Sequence, residues 1–311
     1  MSLLSIVIPT YNEESNIEPF CNAVVDQLNN FLPEYDYELI IIDNDSKDKT
    51  RSILQSLCQK DEKIKAIFNT RNFNAFNSTV YGLYQAKGDC AIMMCSDFQD
   101  PVELIPQFVK EWENGNKVVC GIKTKTKDKN KLLFYFRSLY YRLIRKMSDV
   151  NLIDHFTGFG LYDKSVLDIL RNINDPLPSL RGMIAELGFK HKDIYFIQQP
   201  RRAGKSSFNF YRLYDAAMFN FTTYTKIGLR IATFAGFILS IISILIALVY
   251  FVLKLFHWDW FLAGMTPVLL GVFFFGSVQL FFIGLLGEYI MNINSRLLNR
   301  PIIVEEDRIN F

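Results

Sequence analysis

Three short segments place ligand-binding side chains directly after runs rich in Ile and Val. The first reads Pro9-Thr10-Tyr11-Asn12-Glu13, the second Asp43-Asn44-Asp45-Ser46, and the third Ser96-Asp97-Phe98-Gln99-Asp100-Pro101. Carboxylates brought together repel one another, so a convergent set implies a cation or a hydrogen-bonding ligand between them. A hard divalent cation shared with a diphosphate meets this need, because Mg²⁺ takes one or two carboxylates and completes its shell with phosphate oxygens. Any one of these acids alone reads as a helix cap, and Asp48 and Asp100 suit that role. The set as a whole points to a ligand.

The elements that must carry these segments follow from apolar patterning. The runs Leu4–Pro9, Tyr37–Asp43, Lys65–Phe68, Cys90–Cys95 and Lys117–Ile122 are too short for typical helices, so they read as buried strands. Amphipathic stretches near Glu14–Asn29, Lys47–Gln59, Phe76–Ala86 and Pro101–Glu113 separate them. Repeated βαβ units predict an α/β protein: a mostly parallel sheet with helices on both faces. Ligands of such sheets bind beyond the carboxyl ends of the strands. The candidate site therefore comprises Pro9–Glu13, Asp43–Ser46, Asn69–Asn74 and Ser96–Asp100.

Half of the 311 residues are hydrophobic and mean hydropathy is positive, so part of the chain is expected to face lipid. A net charge of +2 argues against a dedicated nucleic-acid binder. The five cysteines all lie between Cys21 and Cys120 without CxxC spacing, which argues against a disulfide scaffold or a zinc site. The opening residues have no basic n-region and no long apolar run, so no signal peptide is expected and the first domain stays in the cytosol.

Gly228–Leu253 and Thr266–Ile290 are nearly continuous apolar stretches, each longer than the roughly 20 residues a bilayer core requires. Two transmembrane helices are expected. Lys226 and Arg230 lie at the start of the first, and Arg296 and Arg300 follow the second, which puts both chain ends in the cytosol. Before them, the basic, aromatic-rich stretch Lys123–Lys146 reads either as a loop with a packed helix or as an amphipathic membrane-surface helix; Phe208–Lys226 is a second such segment. The expected organisation is a cytosolic α/β domain over 1–130, an acceptor and interface region over 131–226, two spans within 227–295 and a cytosolic tail over 296–311. The Gly- and Phe-rich second span offers a packing surface for another copy, so a homo-oligomer is expected.

The sequence resembles the family-2 glycosyltransferases of GT-A fold, specifically the polyprenyl-phosphate glycosyltransferases, which include bactoprenol glucosyltransferases and dolichol-phosphate mannose synthase. The matching stretches are IVIPTYNEE, IIDNDSKDKT, TRNFN, GLYQAKGD, SDFQDPVELI, RRAGKSSF and LLGEYI, in that order and followed by the spans. The resemblance implies a UDP- or GDP-linked sugar donor, a polyprenyl phosphate acceptor at the inner membrane, and Mg²⁺ or Mn²⁺. It also implies roles. Pro9, Tyr11 and Glu13 would line the base and ribose pocket, Asp43 would contact the base, and Arg71 and Asn72 would hold the same lobe. Asp97 and Gln99 match the metal-binding part of the D-x-D-x-Q segment. Arg201, with Arg202, Lys205 and Ser206 beside it, matches a phosphate-binding arginine; read alone, these residues are a solvated basic loop.

Several positions depart from the family pattern. Cys95-Ser96-Asp97 lacks the first acid of D-x-D; cysteine is a poor ligand for Mg²⁺, so Cys95 is expected to be a strand residue. The G-D-F-R element with the family's proposed catalytic aspartate reads Thr157-Gly158-Phe159-Gly160. Asp154, His155 and Asp163 are the nearby replacements, each equally readable as structural. A lipid phosphate has a second pKa of about 6 by analogy with phosphoesters and arrives largely ionised at pH 7. It therefore gains little from a general base. Two other readings stay open: another lipid or polysaccharide acceptor, and a non-catalytic membrane scaffold.

Overall fold

The computed structural model describes residues 2–126, 152–173, 175–200, 218–219, 221–223, 227–256, 265–298 and 300–311. The chain divides into two compact units, one of Met1–Arg142, Val150–Asn209 and Leu298–Phe311, the other of Leu143–Asp149 and Phe210–Leu297.

The first unit is built on strands β1 (Leu3–Thr10), β2 (Asp36–Asp43), β3 (Ile64–Asn69), β4 (Cys90–Met93), β5 (Val118–Thr126), β6 (Phe156–Asp163), β7 (His191–Gln198) and β8 (Glu305–Ile309). They form one sheet in the order β7-β5-β6-β4-β1-β2-β3-β8. β1 pairs in parallel with β2 and β4, β2 with β3, and β5 with β7. β6 runs antiparallel to both β4 and β5, and β8 antiparallel to β3. This is the mostly parallel α/β sheet expected from the sequence, with three antiparallel pairings added by strands the apolar patterning does not reveal.

Alternation along the strands splits the core into two layers. Leu4, Ile6, Ile8, Leu39 and Ile41 pack with α1 (Ile17–Phe31), α2 (Thr50–Lys60) and α4 (Ile105–Glu113), the last entered through a short 3₁₀ turn. Val7, Ile40 and Ile42 pack with α3 (Ala75–Gln85), α5 (Lys164–Asn172) and α6 (Leu180–Leu187) on the other face. Gly82 lets α3 approach closely: a Cβ there would sit 2.5 Å from both Ile42 Cδ1 and Val7 Cγ1. All five cysteines are free thiols, four of them buried. Burial pushes Cys21 up to about 12 and Cys58 to about 11, which leaves them inert at neutral pH.

The expected separate tail over 296–311 is corrected in part. Its residues Glu305–Ile309 are a strand of the sheet, because Ile309, Arg308, Asp307 and Glu305 pair with Ala66, Ile67, Phe68 and Asn69 on β3, Glu306 being skipped at a shift in register. Ile303 is buried in the core layer that holds α3.

The second unit contains α7 (Ile227–Phe256, 30 residues) and α8 (Met265–Leu297, 33 residues). Large apolar side chains are exposed on both, including Phe234 and Phe237 on α7 and Leu280 and Phe281 on α8. Among the described residues one segment, Phe274–Leu297, is long and apolar enough to cross a membrane. The other expected span coincides with α7, where the apolar stretch meeting that composition is the shorter Leu229–Leu239. Asn292 donates through Nδ2 to the hydroxyls of Thr222 (3.0 Å) and Thr223 (2.9 Å). The expected surface segment within Lys123–Lys146 lies largely outside the described residues, as does most of Phe208–Lys226.

Candidate active site

The sheet order puts β4 and β2 on either side of β1, so the chain reverses its winding direction between β1 and β4. Loops at such a switch point splay apart and leave a crevice outside the strand ends. The loops after β1, β2, β3 and β4 all emerge there. The start of β6 lies at the same edge, because β6 is antiparallel to β4 with Met93 opposite Gly160.

These loops are held by one another. Asn44 N donates to Thr10 O (2.9 Å), Asn12 N to Ser46 Oγ (2.8 Å), and Lys47 N to Asn12 Oδ1 (2.8 Å), tying the β1 and β2 loops together. Glu13 N donates to Thr50 Oγ1 (2.9 Å), and the buried Glu13 carboxylate accepts from Asn16 Nδ2 (2.6 Å). Asn44 links the next pair: its Oδ1 accepts from Phe73 N (2.8 Å) and Asn69 Nδ2 (3.1 Å), and its Nδ2 donates to Asn72 Oδ1 (3.0 Å). Thr10 Oγ1 donates to Ser96 Oγ (3.4 Å) across the switch point. The backbone pays attention to the same edge: Asn12, Asp45, Asn74, Phe98 and His155 all have φ between 54° and 75°. For an aromatic such as Phe98 that conformation is costly and persists only where its surroundings enforce it. Phe98 packs edge-on against Phe20 with ring centroids 5.1 Å apart.

Asp43 is buried at the end of β2 and accepts from Ser46 N at 3.3 Å. Burial raises its pKa, partly offset by the Ser46 hydrogen bonds. Tyr11 is exposed, and Arg71 is exposed with its guanidinium 3.9 Å from the Phe73 ring centroid. Asp97 is buried and its Oδ1 accepts from Gln99 N (3.1 Å). Asp100 turns back to accept from Cys95 N (3.0 Å), so it closes the β4 loop and does not cap the helix that follows. Burial pushes Asp100 up to about 6, with Asp97 adding to the rise and the Cys95 amide and Lys123 opposing it. Cys95 lies beyond the end of β4, not within the strand as expected, because β4 stops at Met93. Its thiol is raised well above the usual value, chiefly by burial.

Of the replacements for the absent aspartate, Asp154 and His155 lie in the turn that enters β6, at the site edge. Asp163 is excluded. It sits at the opposite end of β6, opposite Cys90, where it accepts from Ser165 N (2.9 Å) as the N-cap of α5 and from Trp112 Nε1 (2.8 Å). Arg201, Arg202, Lys205 and Ser206 lie outside the described residues. Asn44 and Asn69 fall within the expected segments Asp43–Ser46 and Asn69–Asn74, but the sequence assigns no role to their polar contacts, which join β2 to β3; Lys123, whose charge opposes the rise of Asp100, is not singled out. The signal for the two asparagines is position alone, at or next to the end of a buried strand; Lys123 lies within β5 and has none.

Among the described residues no group of three or more His, Cys, Asp or Glu side chains could hold a metal ion. A divalent cation here would need oxygens from a bound ligand. Asp97, with Gln99 beside it, fits the sparse protein shell that Mg²⁺ accepts next to a diphosphate. Asp100 is already engaged with the Cys95 amide.

The chain is similar over nearly its whole length to proteins named as glycosyltransferases. The glycosyltransferase YkcC of Bacillus subtilis is 29% identical over 303 residues, covering 96% of this chain and 92% of its own. The SfII prophage-derived bactoprenol glucosyl transferase of Shigella flexneri is 28% identical over 298 residues, covering 96% of each. Among solved structures, the mannosyltransferase PcManGT of Pyrobaculum calidifontis, in complex with GDP-Man and Mn²⁺, is 15% identical with a TM-score of 0.46, covering 71% of this chain and 61% of that one. The family model for glycosyl transferase family 2 matches residues 5–170, more than half of the 311. The strand ends that crowd polar and acidic groups at one switch point thus fall almost entirely inside the matched region, and the chain belongs to glycosyl transferase family 2 as a glycosyltransferase.

Proposed function

We propose that the protein transfers a sugar from a UDP- or GDP-linked donor to polyprenyl phosphate, with inversion, at the cytosolic face of the inner membrane. The observation that carries this reading is the laced set of loops at the β4/β1/β2/β3 strand ends, which bear Asp97, Tyr11, Asp43 and Arg71 at one edge of the sheet. Near full-length similarity to a bactoprenol glucosyl transferase supports the acceptor, and exposed apolar side chains along α7 and α8 support two spans in lipid.

In this reading the donor base lies against Tyr11 and Asp43, held by the loop that bears Arg71 and Asn72. The diphosphate extends toward Asp97 and Gln99. When bound there, Mg²⁺ or Mn²⁺ supplies charge neutralisation of the departing nucleoside diphosphate. The acceptor's phosphate oxygen attacks the anomeric carbon opposite the leaving group; the new C–O bond forms as the bond to the diphosphate breaks. Arg201, Arg202 and Lys205 reduce repulsion between the two anions, and a guanidinium can bind phosphate through two parallel hydrogen bonds. No residue has to remove a proton from an ionised phosphate, which accounts for an active enzyme with Gly158 where the family carries an aspartate.

The test is turnover of radiolabelled UDP- and GDP-sugars by membranes supplied with polyprenyl phosphate. One donor should give an organic-extractable, acid-labile product. Label appearing only in polysaccharide or in another lipid would reassign the acceptor, and no transfer from any donor would favour a scaffold.

A further inference from the structure

The segment 301–311 leaves α8 and returns to the sheet beside the loop that carries Arg71 and Asn72. It grips that loop from both sides. On the strand side, Thr70 donates to Val304 O through its amide (3.1 Å) and its hydroxyl (3.2 Å), and Asn69 pairs with Glu305. On the helix side, Asn77 Nδ2 donates to Ile302 O (3.1 Å) from the first turn of α3. The register between β3 and β8 shifts between Phe68 and Asn69, where the loop begins. The extra residue is Glu306, so it is β8 that bends here to follow the end of β3.

The grip is itself anchored along the whole segment. Arg51 binds Glu306 (2.7 Å), and the Tyr81 hydroxyl donates to Glu305 (2.7 Å). Asn310, at φ 64°, donates through Nδ2 to the carbonyls of Cys58 and Ile64, both at 2.8 Å. The Phe311 ring lies under the cations of Arg308 and Lys65. These contacts are polar and specific along ten residues, more than is needed to cover a sheet edge with charge.

We propose that the segment 301–311 is a positioning element for the donor, holding the Arg71–Asn72 loop in its binding conformation from outside the site. This rests on the reading of that loop as part of the donor pocket. Without the segment, β3 becomes an edge strand, and the loop loses its tethers at Thr70 and Asn77. The cost of ordering it then falls on donor binding. Donor affinity should therefore weaken while the chemical step is spared.

Two full-length variants and one deletion test this by steady-state kinetics with donor and acceptor varied separately. The double variant Thr70→Val/Asn77→Ala, which keeps β8, should raise donor KM about 3–10-fold with kcat within about twofold, as expected when only ordering is lost. Deletion of 301–311 should raise it further, and a synthetic peptide of those residues added in trans should restore it by strand addition. A double variant with unchanged donor KM overturns the inference, whether or not the deletion folds. Arg71→Ala/Asn72→Ala separates the two levels. If it leaves donor KM unchanged, the donor-pocket reading of the loop is wrong; if it raises KM and the Thr70/Asn77 variant does not, the positioning role alone is wrong.

Discussion

Asp97 and Arg201 carry opposite electrostatic duties in the proposed reaction, and single substitutions separate them. Asp97→Ala should lose at least ~100-fold in kcat/KM, the scale typical of a removed electrostatic stabiliser. EDTA should abolish transfer and Mg²⁺ or Mn²⁺ should restore it; full activity in EDTA would remove the metal from the mechanism. Asp154→Asn should keep activity within about tenfold, below the 10²–10⁴ typical of a lost general base. Arg201→Ala should be severely impaired, and the pH profile should fall on the acid side near the acceptor's second pKa of about 6. A loss of ~10³-fold in Asp154→Asn, with folding and donor binding intact, would identify that turn as the relocated home of a catalytic carboxylate. The geometry of β6 explains why the family's own residues are not simply regained there. Gly158, at the aspartate's place, has φ 102°, a region costly for any side chain. Gly160, at the arginine's place, would put a Cβ 2.3 Å from Val119 O on the neighbouring strand.

β6 is also the element that most escaped the sequence. The parallel strands β1 to β4 are legible because both faces are largely buried, which leaves short, mostly apolar runs. β6 breaks its run with Gly158 and Gly160, β7 exposes Tyr195 and Ile197 at the sheet edge, and β8 is written Glu-Glu-Asp-Arg-Ile. Edge strands are commonly charged to block unwanted pairing, so they look like loops in a hydropathy reading. The site was legible to the extent that it follows strand ends. Asp97 and Asp43 emerged that way, whereas the assignment of Asp100 as a cap failed because its backward bond to Cys95 N depends on loop geometry. Asp163 shows the same limit from the other side, since only the antiparallel course of β6 takes it away from the site. Its pKa tends upward through burial, but the hydrogen bonds from Ser165 and Trp112 outweigh this and hold it below the ordinary value. Stability from such a depressed carboxylate is present above the unfolded pKa of about 3.9 and fades as pH falls through the folded value. Asp163→Ala should therefore lower stability by about 1 kcal/mol at pH 7, the usual scale of a lost N-cap. The gap in Tm to the parent protein, followed by thermal unfolding, should narrow below about pH 4. Turnover per folded molecule should be unchanged; a large loss would return Asp163 to the active site.

At the scale of the whole molecule, the proposed membrane arrangement makes a claim about sides. A reporter fused after Phe311 should be cytosolic, and one inserted near Asp259 should lie outside, as the distribution of Lys and Arg around the two apolar stretches requires. An external reporter after Phe311 would refute the two-span arrangement. The pairing of β3 with β8 carries a different kind of consequence, one of time. Thr70 and the Val304 it binds are 234 residues apart in the chain. At ribosomal speeds of roughly 5–20 residues per second, that separation is about 10–50 s of synthesis. Throughout that interval β1 to β4 can assemble while the outer edge of β3 stands open, and both apolar helices must be made before its cover exists. An open edge is a template for pairing with other chains. Arg51, Lys63 and Lys65 lie along this side of the nascent domain, and charged side chains of this kind discourage such pairing until β8 arrives.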